Sequence, residues 1–125
     1  MTPETAVIAG GIFNALIAVF HLAFWKLFRW RDEVARMSRV NGAILQVMNL
    51  RLTWFFILFA ALAFIFPAEL VNTAMGKTLL GAMAIFWLMR AVEQVIFFGL
   101  SQPASKIFFA SCFIGVAANA FPALA

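Results

Sequence analysis

Phe86-Trp87-Leu88-Met89-Arg90-Ala91-Val92-Glu93-Gln94-Val95-Ile96-Phe97 decides how this chain is to be read. Apart from Arg90, Glu93 and Gln94 the stretch is apolar, and apolar sequence continues on both sides of it. With 3.6 residues per turn, these three share one helix face, with Trp87 a turn before and Phe97 a turn after. A charged side chain is costly inside a bilayer, so it turns toward the protein interior and needs a partner there. The rest of the sequence can be read as supplying such partners.

Composition supports the membrane reading. Of 125 residues, 66% are hydrophobic and 11% are charged, where soluble domains average about 25% charged. A soluble core this apolar would lack the polar surface to cover it, and a bilayer removes that need. The length suits one domain, residues 1–125. The basic residues sit between apolar runs and form no patch on a soluble module, so nucleic acid is not an expected partner. A single cysteine, Cys112, excludes an internal disulfide and any multi-cysteine metal cage.

In chain order, Thr2-Pro3-Glu4 carries helix-start signals: a capping hydroxyl, a proline suited to the first turn and an acid at the positive end of the dipole. Thr5 to Trp25 is uncharged for about 21 residues, enough to cross about 30 Å of hydrocarbon. Its basic residues follow the apolar run, which argues for a span and against a cleavable signal peptide. Lys26 to Arg39 is an interfacial connection with Lys26, Arg29, Arg31, Arg36 and Arg39, offset by Asp32 and Glu33, and with Trp25 and Trp30 at headgroup level. From Asp32 on it has helical character compatible with running into the next span. A solvated turn that sets topology is the plainer reading of this segment, and recognition of anionic lipid is the sharper one.

The second span ends before Pro67. Its uncharged part from Leu52 to Ala68 is short for a span, which moves its start back toward Asn41 to Ala43 and places Arg51 inside, snorkelling to the headgroups. Gln46, Asn49 and Thr53 share a face. Pro67 to Lys77 reads as a short loop, and Pro103 suits the start of the last helix. On that helix Ser105, Cys112 and Asn119 recur every seven positions on one face, and Ser111 with Gly115 is a small-residue pair that permits close helix approach.

The expected fold is therefore all-α and integral to the membrane: an up-down-up-down bundle of four transmembrane helices at about 4–27, 42–66, 74–100 and 105–123. Lys26, Arg29, Arg31, Arg36, Arg39 and Lys106 lie in the first and third connections and only Lys77 in the second. That asymmetry predicts a multi-pass protein of the plasma (inner) membrane with both termini non-cytoplasmic.

Placed at their depths, His21, Gln46, Asn49, Arg90, Glu93, Gln94 and Cys112 all fall in the cytoplasmic half, with Asn14 and Asn119 nearer the midplane. The expected site is an inner-leaflet polar pocket lined by His21, Gln46, Asn49, Trp87, Arg90, Glu93, Gln94 and Cys112, whose apolar walls are Phe86, Trp87, Phe97 and Phe108. Such a pocket suits an amphipathic ligand such as a lipid or a quinone. Glu93 is expected to be ionised and bonded to Arg90, Arg51 or His21. Beside this stands the plainer reading, in which the same polar residues pair across helices and fix their register.

Two other functions fit the same residues. One is a small membrane enzyme on a lipid-like substrate, with His21 and Glu93 as candidate catalytic acid and base and Arg90 holding an oxygen. The other is an accessory subunit of a larger complex, in a homo- or hetero-oligomer. No GxSxG, HExxH, P-loop or dinucleotide fingerprint is present, so the sequence leans away from an enzyme. No cofactor and no metal site is expected: His21 is the only histidine, and one His, one Cys and one Glu have no ligand spacing. Membrane lipids and a lipophilic small molecule are the expected partners.

Overall fold

A backbone in hydrocarbon has no water to bond to, so each span must satisfy its own N–H and C=O groups. The computed structural model, which describes residues 1–125, meets this with helices alone and contains no strand. The elements are α1 (Pro3–Leu22), α2 (Phe24–Leu27), α3 (Trp30–Arg36), α4 (Arg39–Ile65), α5 (Pro67–Asn72), α6 (Ala74–Glu93) with a π-helical turn at Gln94–Phe98, and α7 (Pro103–Leu124). Four helices are long and apolar enough to cross a membrane: Pro3–Leu22, Arg39–Ile65, Ala74–Phe98 and Pro103–Leu124. This is the class the sequence predicts, a multi-pass α-helical membrane protein.

The helix ends follow local chemistry. The hydroxyl of Thr2 accepts from Thr5 N–H at 3.1 Å and caps α1. Ser38 does the same for α4, accepting from Asn41 N–H at 3.2 Å. Phe66 leaves the helical region ahead of Pro67, whose ring disfavours a helical residue before it. Pro103 opens α7.

Three details depart from the sequence reading. The first span stops at Leu22 rather than near residue 27: Ala23 N–H is shared between the carbonyls of Val19 and Phe20, and the chain restarts as α2. The segment from Asp32 is helical but separate from the next span, because Met37 is extended. The expected loop after Pro67 contains α5, since Pro67 and Glu69 supply the first turn of a helix. Thr73 then joins α5 to α6, donating to Glu69 O at 2.7 Å and accepting from Gly76 N–H at 2.9 Å. Gly76 has to be glycine there, because a Cβ would run into the backbone of Leu70.

Close contacts gather the residues into two groups, 1–10 with 63–125, and 11–62. In the first group α6 and α7 lie along one another. The buried stripe of α6 is Leu80, Met83, Ala84, Trp87, Ala91 and that of α7 is Cys112, Gly115, Asn119, Pro122. The approach is close where Gly115 meets Trp87, and Gly10 of α1 lies against Ala118. In the second group Ile17, Ala18 and His21 of α1 and Asn49, Thr53 and Phe56 of α4 are buried.

Candidate functional site

In the first group the polar residues form one directed chain. Arg90 lies on α6 about eight residues before the end of the span, roughly 12 Å of helix. Its guanidinium donates to Gln94 Oε1 at 2.9 Å. Gln94 Nε2 donates to Ser105 Oγ at 2.7 Å, and the Ser105 hydroxyl donates to the carbonyl of Gly99. The i,i+4 spacing of Arg90 and Gln94 brings the first pair together, and Ser105 reaches it from the first turns of α7. Gly99 ends the π-helical turn at φ 72°, a conformation glycine adopts freely, and its N–H bonds back to Gln94 O at 3.0 Å. Turns of this kind are frequent at functional sites.

Two rings complete the surroundings of Arg90. Its guanidinium carbon sits 4.7 Å from the Phe108 centroid and 5.4 Å from that of Phe98, within cation–π range. Phe98 is 66% exposed, so the site borders the outer surface of the helices. Arg90 offers five N–H donors, of which Gln94 takes one, and no carboxylate pairs with it.

Glu93 does not join this group. It is exposed, and the guanidinium turns to Gln94 instead. Helix geometry explains the difference from the sequence reading. The buried stripe of α6 runs through Leu80, Met83, Ala84, Trp87 and Ala91; at 3.6 residues per turn Gln94 falls within it, Arg90 at its edge and Glu93 roughly 130° from its centre. Phe97 is likewise 76% exposed and forms no inward wall. Trp87 is buried against Gly115. Cys112 is fully buried on the α7 stripe with no base bonded to its thiol.

In the second group His21 and Asn49 come together. His21 Nδ1 lies 2.8 Å from Ile17 O, and since a carbonyl only accepts, that nitrogen carries the proton. The imidazole packs on Phe24 at 4.6 Å and Phe56 at 5.2 Å between centroids. Asn49 Nδ2 donates to His21 O at 3.1 Å. It thereby satisfies one of the carbonyls that the end of α1 leaves open. Thr53 Oγ1 donates to Asn49 O at 2.8 Å. The side-chain oxygens of Asn49 and Asn14 are buried without a hydrogen-bond partner. Gln46 is half-buried and donates to Gly42 O at 3.0 Å, a bond within its own helix. Arg51 is exposed.

Ser105 and Phe98 were not among the residues expected to make the site. Ser105 had a signal, because it shares a face with Cys112 and Asn119. Phe98 had none, since only the wider turn after Glu93 places its ring beside Arg90. No family model matches the chain, no curated protein matches its sequence, and no solved structure matches it.

Proposed function

We propose that this protein is a multi-pass inner-membrane protein that holds the anionic head of an amphipathic molecule at Arg90. The apolar part of that molecule lies along the exposed side of Phe98. The observation that carries the proposal is an arginine within a membrane-length helix, set over two phenyl rings and bonded to one neutral amide, with no carboxylate paired to it. A buried or half-buried cation without a counter-charge is costly in a low dielectric. A carboxylate or phosphate head removes that cost, and the planar guanidinium fork fits both. Gln94 and Ser105 fix the guanidinium in advance, so little ordering is left for binding. In this reading the four helices run up-down-up-down with the first and third connections in the cytoplasm and both termini outside it. Arg90 is then at inner-leaflet depth.

The experiment is mass spectrometry of the protein released from mild detergent. Wild type and Glu93→Gln should carry an anionic lipid or fatty acid, and Arg90→Gln should lose it while keeping its helical circular-dichroism spectrum. Retention of the same adduct by Arg90→Gln sinks the proposal. Copurification of a protein in place of a lipid would make the chain an accessory subunit instead.

A further inference from the structure

Between the end of α1 and the start of α4 the chain is folded and yet unburied. No residue of α2 or α3 is buried. The segment is nevertheless held in place. Phe24 meets Phe20 and Phe28 edge-on at 4.9 Å each and Trp30 at 5.5 Å, and Trp25 meets Trp30 at 6.3 Å. On the other side, Gly42 of α4 comes so close to Val34 that a Cβ there would lie 3.1 Å from Val34 Cγ1.

Around these rings Lys26, Arg29, Arg31, Arg36 and Arg39 are all exposed, as are Asp32 and Glu33. Five cations less two anions leave +3, and no ion pair joins them. Trp25, Leu27, Phe28 and Met37 are exposed among the same cations. Arg29 adds a separate clue. It stands at φ 55°, the left-handed region, at the elbow between α2 and α3. Glycine or asparagine takes that conformation with less strain, so an arginine there is disfavoured by the backbone.

We infer that the α2–α3 elbow is a binding site for anionic phospholipid. Lys26, Arg29 and Arg31 take headgroup phosphate, and Trp25, Leu27 and Phe28 enter the boundary between headgroups and acyl chains. Three features favour lipid over a soluble partner. The elbow links two membrane-length helices, its cations are interleaved with exposed aromatic and aliphatic side chains, and tryptophan is suited to that depth. Basic residues beside membrane helices are attracted to anionic leaflets. Here the ring packing and the Val34–Gly42 contact fix the backbone that carries them, which concentrates a diffuse attraction at one elbow. The inference is independent of the Arg90 proposal.

The test uses the full chain carrying Trp54→Phe, so that Trp25 and Trp30 report against the buried Trp87. The protein is reconstituted in phosphatidylcholine vesicles containing either brominated phosphatidylglycerol or brominated phosphatidylcholine at one mole fraction. The anionic quencher should be at least about twofold more effective, and high salt should reduce the difference. Arg29→Gly relieves the backbone, so it should keep or raise thermal stability while lowering the preference. Lys26→Gln with Arg31→Gln should lower it further. Equal quenching by the two lipids overturns the inference, as does a preference that survives all three substitutions. Loss of the preference in Arg90→Gln alone overturns it too, because the selectivity would then belong to Arg90.

Discussion

The indole of Trp87 occupies the space that any side chain at position 115 would need: a Cβ built on Gly115 would lie 2.5 Å from Trp87 Cγ. Trp87 is 1% exposed, and the clash falls on the root of its ring rather than on a flexible tip. Gly115→Ala should therefore force α6 and α7 apart and cost about 1–3 kcal/mol or more. Gly81, on the same helix as Trp87, has nothing within 4 Å of its would-be Cβ. Gly81→Ala should be neutral or stabilise by up to about 1 kcal/mol through helix propensity. Thermal unfolding of both variants in one detergent compares them directly; similar losses would mean that the two helices do not meet at Gly115.

Asn49 closes the end of α1 through the carbonyl of His21. Replacing it with leucine keeps the volume but leaves that carbonyl without its donor. The expected loss is about 0.5–2 kcal/mol, the range of interhelical hydrogen bonds in membranes. Thr53→Val tests the contrast, since the Thr53 hydroxyl bonds only back to the carbonyl of Asn49 four residues earlier. Its cost should be the smaller of the two.

The parts of this structure that were legible in the sequence are those set by one-dimensional rules. Apolar run length predicts the four spans, and Thr2, Pro67 and Pro103 predict where three helices start or stop. Periodicity places Asn49 with Thr53 on one face, and both are buried. Gly115 was legible as a point of close approach, although its neighbour Trp87 was not. What escaped the sequence depends on small rotations and local alternatives. Glu93 is one residue from Gln94, and only the direction of the α6 stripe separates an exposed acid from a buried amide. The π-helical turn at Gln94–Phe98 and the break after Leu22 reflect sharing of backbone hydrogen bonds, which residue type does not announce.

The distribution of basic residues carries an expected outcome of its own. A reporter fused after Ala125 should be active only on the non-cytoplasmic side, and one inserted near Arg31 only in the cytoplasm. Neutralising Lys26, Arg29, Arg31, Arg36 and Arg39 together removes most of the asymmetry and should give mixed orientation. A cytoplasmic C-terminus in the unaltered protein would reverse the depth assigned to Arg90.

Arg90 should depend on Gln94 and not on Glu93. Two acceptors lie within one turn of it along α6, the carboxylate of Glu93 and the amide oxygen of Gln94. Coulomb attraction alone would favour the carboxylate. The structure gives the guanidinium to Gln94, because Glu93 is turned away from the buried stripe, while Gln94 lies in it and is tied to Ser105. A double-mutant cycle separates the two pairs. Arg90→Gln combined with Gln94→Leu should be less damaging than the sum of the single losses, with a coupling of about 0.5–2 kcal/mol. Arg90→Gln combined with Glu93→Gln should be additive within about 0.5 kcal/mol. Ser105→Ala should weaken the Arg90–Gln94 coupling, since Gln94 then loses the bond that orients its amide. Unfolding of these variants in detergent gives all three values. A coupling to Glu93 larger than that to Gln94 would mean that the arginine is neutralised within its own helix, and the case for an anionic ligand at Arg90 would fall with it.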